Sequence, residues 1–373
     1  NLVSAYEAFL GETGKVPTSM PLAVPTFVVE PYHLKALARI IKDPRLGKGI
    51  EQFTANAWSN LNCMGLKYIL HAIQHNPSIH TLRLARAHFD RDDDNRFIRF
   101  LQHATHVTNI QVPSITEHTN GDYMLRALLR EMASNTHVTS LDLEAVTYSE
   151  VTFSMLLSVI SNNTTLQKLK LSYSDFSYHN RAQRFMQAII DNPNTALRKI
   201  KFPLMRGAVL WTAQMLQFNR SLTHIDLSNI ALSSHAALLK TALEQNHRLE
   251  HLDVSSTSLA DNDLASLLEP LWTNSTLTHL DISGNGALTN ETARNLGDML
   301  MQNSGIQTLL LDGLHGITKD KLAKRLAVAL RVNSSVHHLS MVRANTEIAG
   351  ITALAEALTV NHAIQQLNLS QNP

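Results

Sequence analysis

The chain has 373 residues, 44% of them hydrophobic, with 32 Lys and Arg against 31 Asp and Glu. That composition supports a folded core and excludes extensive disorder, and a net charge of +1 argues against nucleic acid as a partner. No apolar run approaches the roughly 20 residues that cross a bilayer, Asn1–Met20 lacks the layout of a secretory signal, and the lone Cys63 cannot close an internal disulfide. The expectation is a cytoplasmic, monomeric protein of a reducing compartment, with no membrane partner.

Residues 1–47 read as an N-terminal helical cap. The pattern predicts a short helix over Ser4–Leu10, a proline-punctuated loop from Val16 to Pro25, and a helix opened by Pro31 and running to Ile41. From residue 48 to Pro373 the chain repeats one phrase: usually an Asn, then two spacers, an aliphatic residue, two spacers, an aliphatic residue, one spacer, an aliphatic residue. Clear copies are Asn135–Leu143, Asn163–Leu171, Asn219–Leu227, Asn246–Val254, Asn274–Ile282 and Asn361–Leu369. The first aliphatic positions run Ile79, Val107, Val138, Leu166, Leu197, Leu222, Leu249, Leu277, Ile306, Val336 and Ile364, so (364 − 79)/10 gives 28.5 residues per repeat. A degenerate earlier copy places Ile50, Phe53 and Ala55 in the same positions, making about twelve.

Each triplet alternates apolar and polar residues, as a short strand with one buried face requires. A helical stretch follows, as in Leu238–Glu244 or Leu264–Leu271. One such unit cannot bury its own apolar face, so the repeats must stack.

These residues resemble the leucine-rich repeats, and a period near 28 to 29 with a full helix per repeat resembles the ribonuclease-inhibitor-like class shared by RanGAP, the tropomodulins and the NOD-like receptors. The resemblance implies an α/β solenoid of horseshoe form, with a parallel sheet on the concave face, helices on the convex face, and partner proteins bound along the concave side. The position that the family fills with Asn or Cys holds Ala87, Val146, Ser174, Ile230, Thr257 and Asn285 here, which predicts that the family's buried amide ladder is mostly absent. The many Asn, His, Gln and Met residues also resemble the leucine-rich effectors of Legionella-type bacteria. That likeness implies a protein secreted into a host cell, with a host protein as partner. The RanGAP resemblance implies the alternative of a GTPase regulator. A catalytic domain outside these residues would make the repeats a substrate-recognition part.

Candidate chemistry is sparse, and the reading is of a protein without catalytic residues, cofactor or metal. Asp90, Asp92 and Asp94 are spaced like the opening of a calcium loop, but Asn95 replaces its turn Gly and Leu101 its closing Glu. The carboxylates are better placed to cap a helical run from Asn95 to Gln102. Cys63 sits among Leu61, Met64, Leu66 and Leu70 and reads as a buried thiol. Six glycosylation sequons begin at Asn162, Asn163, Asn219, Asn274, Asn290 and Asn333. Five fall at or beside the repeat's own Asn, whose tolerance of positive φ at a helix end explains its recurrence.

The candidate protein-binding residues lie on the strands. His224 and Asp226, His251 and Asp253, and His279 and Asp281 occupy matching places in three repeats, each pair followed by Ser228, Ser255 or Ser283. This ladder is read as a duplication relic, a partner contact or a metal site. Carboxylates about 5 Å apart repel by about 3 kcal/mol at an effective dielectric near 20, so a counter-charge is expected from protonated histidines or a basic partner. Lys168, Lys170, Lys199 and Lys201 form a basic band before this acidic one, with Asp312 beyond it. The bands fit recognition of a charged protein or serve solubility alone. Tyr173 and Tyr178 lie in the lengthened repeat from Leu166 to Leu197 and are candidate anchors, while Phe176 fits a buried loop position. The sequence stops after a strand and begins without Met, which leads us to expect a piece of a longer protein.

Overall fold

A computed structural model describes residues 19–22, 31–45, 47–56, 63–85, 91–114, 121–174, 176, 180–191, 196–203, 208–232 and 236–373. The chain divides into two compact units, Asn1–Asp175 with Asn194–Leu197, and Phe176–Pro193 with Arg198–Pro373. Both units are α/β solenoid segments.

In the first unit the strands β1 (Ser19–Leu22), β2 (Gln52–Asn56), β3 (Thr81–Ala85), β4 (Asn109–Gln111), β5 (Ser140–Asp142) and β6 (Lys168–Lys170) pair in parallel, each with the next. Five helices alternate with them: α1 (Pro31–Lys42), α2 (Cys63–Gln74), α3 (Arg91–His103), α4 (Gly121–Met132) and α5 (Glu150–Asn162). The second unit continues the pattern with α6 (Arg181–Asp191), β7 (Lys199–Lys201), α7 (Ala208–Phe218), β8 (His224–Asp226), α8 (Ala236–Gln245), β9 (His251–Asp253) and α9 (Asp261–Leu268). It ends with β10 (His279–Asp281), α10 (Asn290–Gln302), β11 (Thr308–Leu310), α11 (Lys321–Leu330), β12 (His338–Ser340), α12 (Ile348–Leu358) and β13 (Gln366–Asn368). Its strands are again parallel and paired in sequence order.

The core follows from the aliphatic triplet. Leu249, Leu252 and Val254, and one repeat later Leu277, Leu280 and Ile282, are all buried, while the residues between them are not. Each helix covers these triplets with apolar residues at intervals of three and four. In α10 these are Ala293, Leu296 and Leu300, joined by Met299. Ser149 starts α5 by accepting the Thr152 amide through Oγ at 3.2 Å. Pro270 carries no amide hydrogen, so the helix predicted over Leu264–Leu271 becomes α9 followed by a tighter turn over Glu269–Trp272.

Several sequence expectations are revised. The proline-punctuated stretch expected to be loop contains β1, whose residues pair with Gln52–Ala55. The helix expected from Asn95 starts four residues earlier at Arg91, so Asp92 and Asp94 lie inside its first turn and cannot shape a calcium loop. The Ser4–Leu10 helix and Asp90 lie outside the described residues. Cys63 begins α2, and its side chain lies outside them too.

The recurring Asn is not retained for positive φ. Asn163 and Asn303 follow their helices at φ −75° and −73°. Their side chains carry the reason. Asn163 Nδ2 donates to the carbonyls of Met132 and Asn135 in the preceding repeat at 2.6 and 3.0 Å. Its Oδ1 accepts the amides of Thr165 and Leu166. Asn303, Asn333 and Asn361 repeat all four bonds. Asn219 and Asn246 make three of them. A glycan on Asn163, Asn219 or Asn333 would have to break this buried network.

Replacing Asn303 with Ala would strand two carbonyls and two amides in a buried place, a loss of roughly 3 kcal/mol. Asn162→Ala, at an exposed helix end, would stay within about 0.5 kcal/mol. Urea unfolding of both variants checks the contrast.

Candidate protein-binding face

The strands turn one set of residues to the core and the alternate set to the open side of the sheet. In the second unit the register aligns His224, His251 and His279 in one column and Asp226, Asp253 and Asp281 in another. The structure thus brings the predicted ladder together. The imidazoles stack face to face, with centroids 3.8 Å apart for His224 and His251 and 4.8 Å for His251 and His279. A fourth histidine, His338, lies in the same column one strand beyond Thr308.

The expected counter-charge from the histidines does not develop. Partial burial pushes His224 down to about 4, helped by Lys199 and His279 nearby. His251 is likewise pushed down to about 4 by burial and by its two stacked neighbours. Burial also lowers His279, against the pull of Asp281. At neutral pH His224 and His251 are uncharged, because burial disfavours the cation and protonating one ring places a charge against the face of the next. Among the described residues no group of three or more His, Cys, Asp or Glu side chains is arranged to hold a metal ion.

The carboxylates are held by the backbone. Asp226, Asp253 and Asp281 each accept, through Oδ1, the amide of the serine two residues on, at 3.0, 2.8 and 2.9 Å. Among the described residues, Asp226 alone of the three has a lysine or arginine partner, Lys201 Nζ at 2.8 Å. Burial raises Asp253, opposed by its bonds to Ser255 and aided by Asp226 and Asp281 beside it. Asp312 accepts Ser340 Oγ at 2.7 Å and the Val342 amide at 2.8 Å.

The basic band is partly spent. In the first unit Lys170 contacts Glu144 and lies 3.5 Å from Asp142, its partner across the strand register. Burial works against its charge, but the two carboxylates raise it above the ordinary lysine value. Lys201 is the corresponding paired cation of the second unit. Lys168 and Lys199 are exposed, with no acidic partner within 4.0 Å among the described residues. The sequence reading missed Asp142 and Glu144 as partners of Lys170. Their signal was present, since Asp142 and Lys170 fill the same place in successive repeats.

Just past the strands, the residue at one matching place in each repeat described there takes a left-handed conformation. These are Ser114, Ala145 and Tyr173 in the first unit, and Asn229, Ser256, Gly284, Gly313, Arg343 and Gln371 in the second. At the seven of these whose partners lie in the same unit's next repeat and are described, the amide donates to that repeat's backbone, as Ser256 does to Ser283 at 2.8 Å. Tyr173 sits in this column at φ 60° and is 59% exposed. Phe176 is fully buried, edge-to-face against Phe185 at 5.2 Å. Tyr178 lies outside the described residues.

Strand, turn, helix and a turn-closing Asn, recurring with an open polar strand face, define an α/β repeat protein with an extended surface. The chain is a leucine-rich repeat protein. A family profile described as "Leucine Rich repeat" matches residues 273–297. The mouse protein "NACHT, LRR and PYD domains-containing protein 14" is 26% identical over 255 residues, covering 58% of this chain. The chain spans 25% of the length of that relative. Among solved structures, a chain of the yeast Rad7 and Elc1 complex aligns over 98% of this chain and 87% of its own, at 13% identity and a TM-score of 0.47. The Caenorhabditis elegans tropomodulin C-terminal domain aligns over 41% of this chain and 93% of its own, at 19% identity and a TM-score of 0.35. Leiomodin-1 actin-binding site 2 gives 40%, 86%, 17% and 0.34 respectively. Among the described residues no helix is long and apolar enough to cross a membrane.

The histidine column generates a pH dependence. His224 and His251 bind protons more weakly folded than unfolded, where they titrate near 6.5. Their neutral form therefore stabilises the fold above about 6.5, and this contribution is lost as pH falls towards about 4. Melting temperature should drop between those values, and His224→Gln with His251→Gln should flatten the drop. An equal drop in both proteins would contradict the assignment.

Proposed function

We propose that this leucine-rich repeat protein is a non-catalytic binding module whose strand face docks a partner protein. The observation that carries the reading is the registered columns of polar and charged residues on the open side of the sheet, in repeats whose aliphatic residues are fully committed to the core. Side chains repeated at the strand spacing of about 4.8 Å form a broad, shallow surface, suited to another macromolecule rather than to a buried small substrate. Lys168 and Tyr173 in the first unit, and Lys199, His224, Asp253 and Asp281 in the second, are the predicted contacts. Lys170 and Lys201 act indirectly, since each holds a neighbouring carboxylate. The family resemblance and the mouse relative support a protein partner.

The test is to capture partners on the immobilised chain, produce the identified protein, and measure its association kinetics. Lys168→Glu with Lys199→Glu should slow association several-fold at low salt and change little at high salt, as rim charges do. Val328→Glu with Val332→Glu, exposed on the helix side, should leave it unchanged. The reverse pattern would place docking on the helices and refute the reading.

A further inference from the structure

The strand face of the second unit carries carboxylates that its own cations leave unbalanced. Lys201 neutralises Asp226. Asp253, Asp281 and Asp312 have no lysine or arginine within 4.0 Å among the described residues. His224 and His251 beside them supply no charge at neutral pH. Asp253 and Asp281 on neighbouring strands, and Asp312 just past the next strand, repel one another, so the face is electrostatically incomplete without a cationic visitor.

One end of this face is also shaped. A hollow of about 570 Å³ lies just past the strands, lined among others by Asp281, Ser283, Gly284, Asp312, Gly313 and Arg343. Its opening comes from the left-handed column, where Ser256 and Arg343 carry side chains but Gly284 and Gly313 between them carry none. At Gly284 a Cβ would fall 2.5 Å from Ser256 Oγ, so the space cannot be filled there without displacing that hydroxyl. Asp281 offers Oδ1 to Ser283, and Asp312 offers Oδ1 to Ser340 and Val342. Among the described residues, neither Oδ2 atom accepts a hydrogen bond.

We propose that this face seats an extended basic segment of the partner protein, with an arginine entering the hollow between Asp281 and Asp312. The proposal rests on the reading that the strand face is the docking surface, and names the chemistry of what docks. A guanidinium is planar and carries five donors, so it can bridge two carboxylates whose outer oxygens are free, where an ammonium acts as a point charge. Arg343 lines the hollow and is exposed, with no carboxylate within 4.0 Å of its side-chain nitrogens among the described residues. A polyanion would meet repulsion along the whole row.

The probe is an end-blocked, fluorescein-labelled nona-arginine, followed by anisotropy at about 10 mM ionic strength, where the Debye length is about 30 Å. Asp281→Asn with Asp312→Asn keeps each Oδ1 acceptor, and a melting curve checks that the fold persists. This variant should bind at least about tenfold more weakly, a loss of the order of 1.4 kcal/mol. The control Asp298→Asn with Glu356→Gln, of equal charge change on the helices α10 and α12, should bind as the parent does. Equal weakening in both variants, or in neither, would overturn the proposal. Equal binding of nona-lysine would overturn the assignment of arginine to the hollow. If these fail while Lys168 and Lys199 still govern association of the captured partner, the docking face stands and the basic segment alone falls.

Discussion

The fold depends on satisfying the backbone at the end of every helix. A chain that leaves a helix and turns into a strand exposes carbonyls that no helical amide can reach, and in a stack those carbonyls are buried against the next repeat. In most described repeats one asparagine answers this, and Asn163, Asn303, Asn333 and Asn361 do so with four hydrogen bonds, two donated to the preceding repeat and two accepted from their own turn. Only a primary amide offers both donors and acceptors at that length. Serine reaches too short a distance, and aspartate would accept without donating and bury a charge. The same bonds that close each turn therefore clamp it to its neighbour, and each repeat's stability is tied to the repeat before it.

A second amide position, beyond the strand, works more sparingly. Asn285 donates to Val254 and Ile282 and accepts the amides of Thr257 and Leu259. Asn372 does the same for Met341, Leu369, Ala344 and Thr346. Ser174 makes a reduced version, donating to Leu143 and accepting the Val146 amide. Thr257 likewise donates its hydroxyl to Val254, while other repeats put Val146 or Ile230 in this place, both buried. Hydrophobic burial is worth about 25 cal/mol per Å² and replaces an amide where the surrounding backbone bonds to the next repeat instead.

Charge on the strand face is organised by register rather than by sequence bands. Lysine meets carboxylate across adjacent strands at Lys170 with Asp142 and at Lys201 with Asp226. Beyond Asp226 the cations stop and imidazoles take the neighbouring column. Stacked at 3.8 and 4.8 Å, they exclude water from one another and hold themselves neutral. A row of carboxylates beside a row of neutral rings is a surface with unspent potential, which is what a docking face needs.

The sequence alone determined the repeat, its period, the strands and the residues that face the core, because the aliphatic triplet has one burial solution and recurs too often to be misread. It also determined that His224, His251 and His279 share a column, since equal offsets in successive repeats become neighbours in a parallel sheet. It misassigned the role of the turn asparagine, because the residue type is compatible with a left-handed backbone and with a buried side-chain network, and only coordinates separate them. Strand β1 was hidden by the prolines around it, since its pairing with β2 is decided across about thirty residues of chain. The ionisation of the histidines, the pairing of Lys170 and Lys201, and the hollow beside Gly284 and Gly313 were decided by tertiary structure alone. Each depends on distances between strands and on burial, and those arise only when the repeats stack.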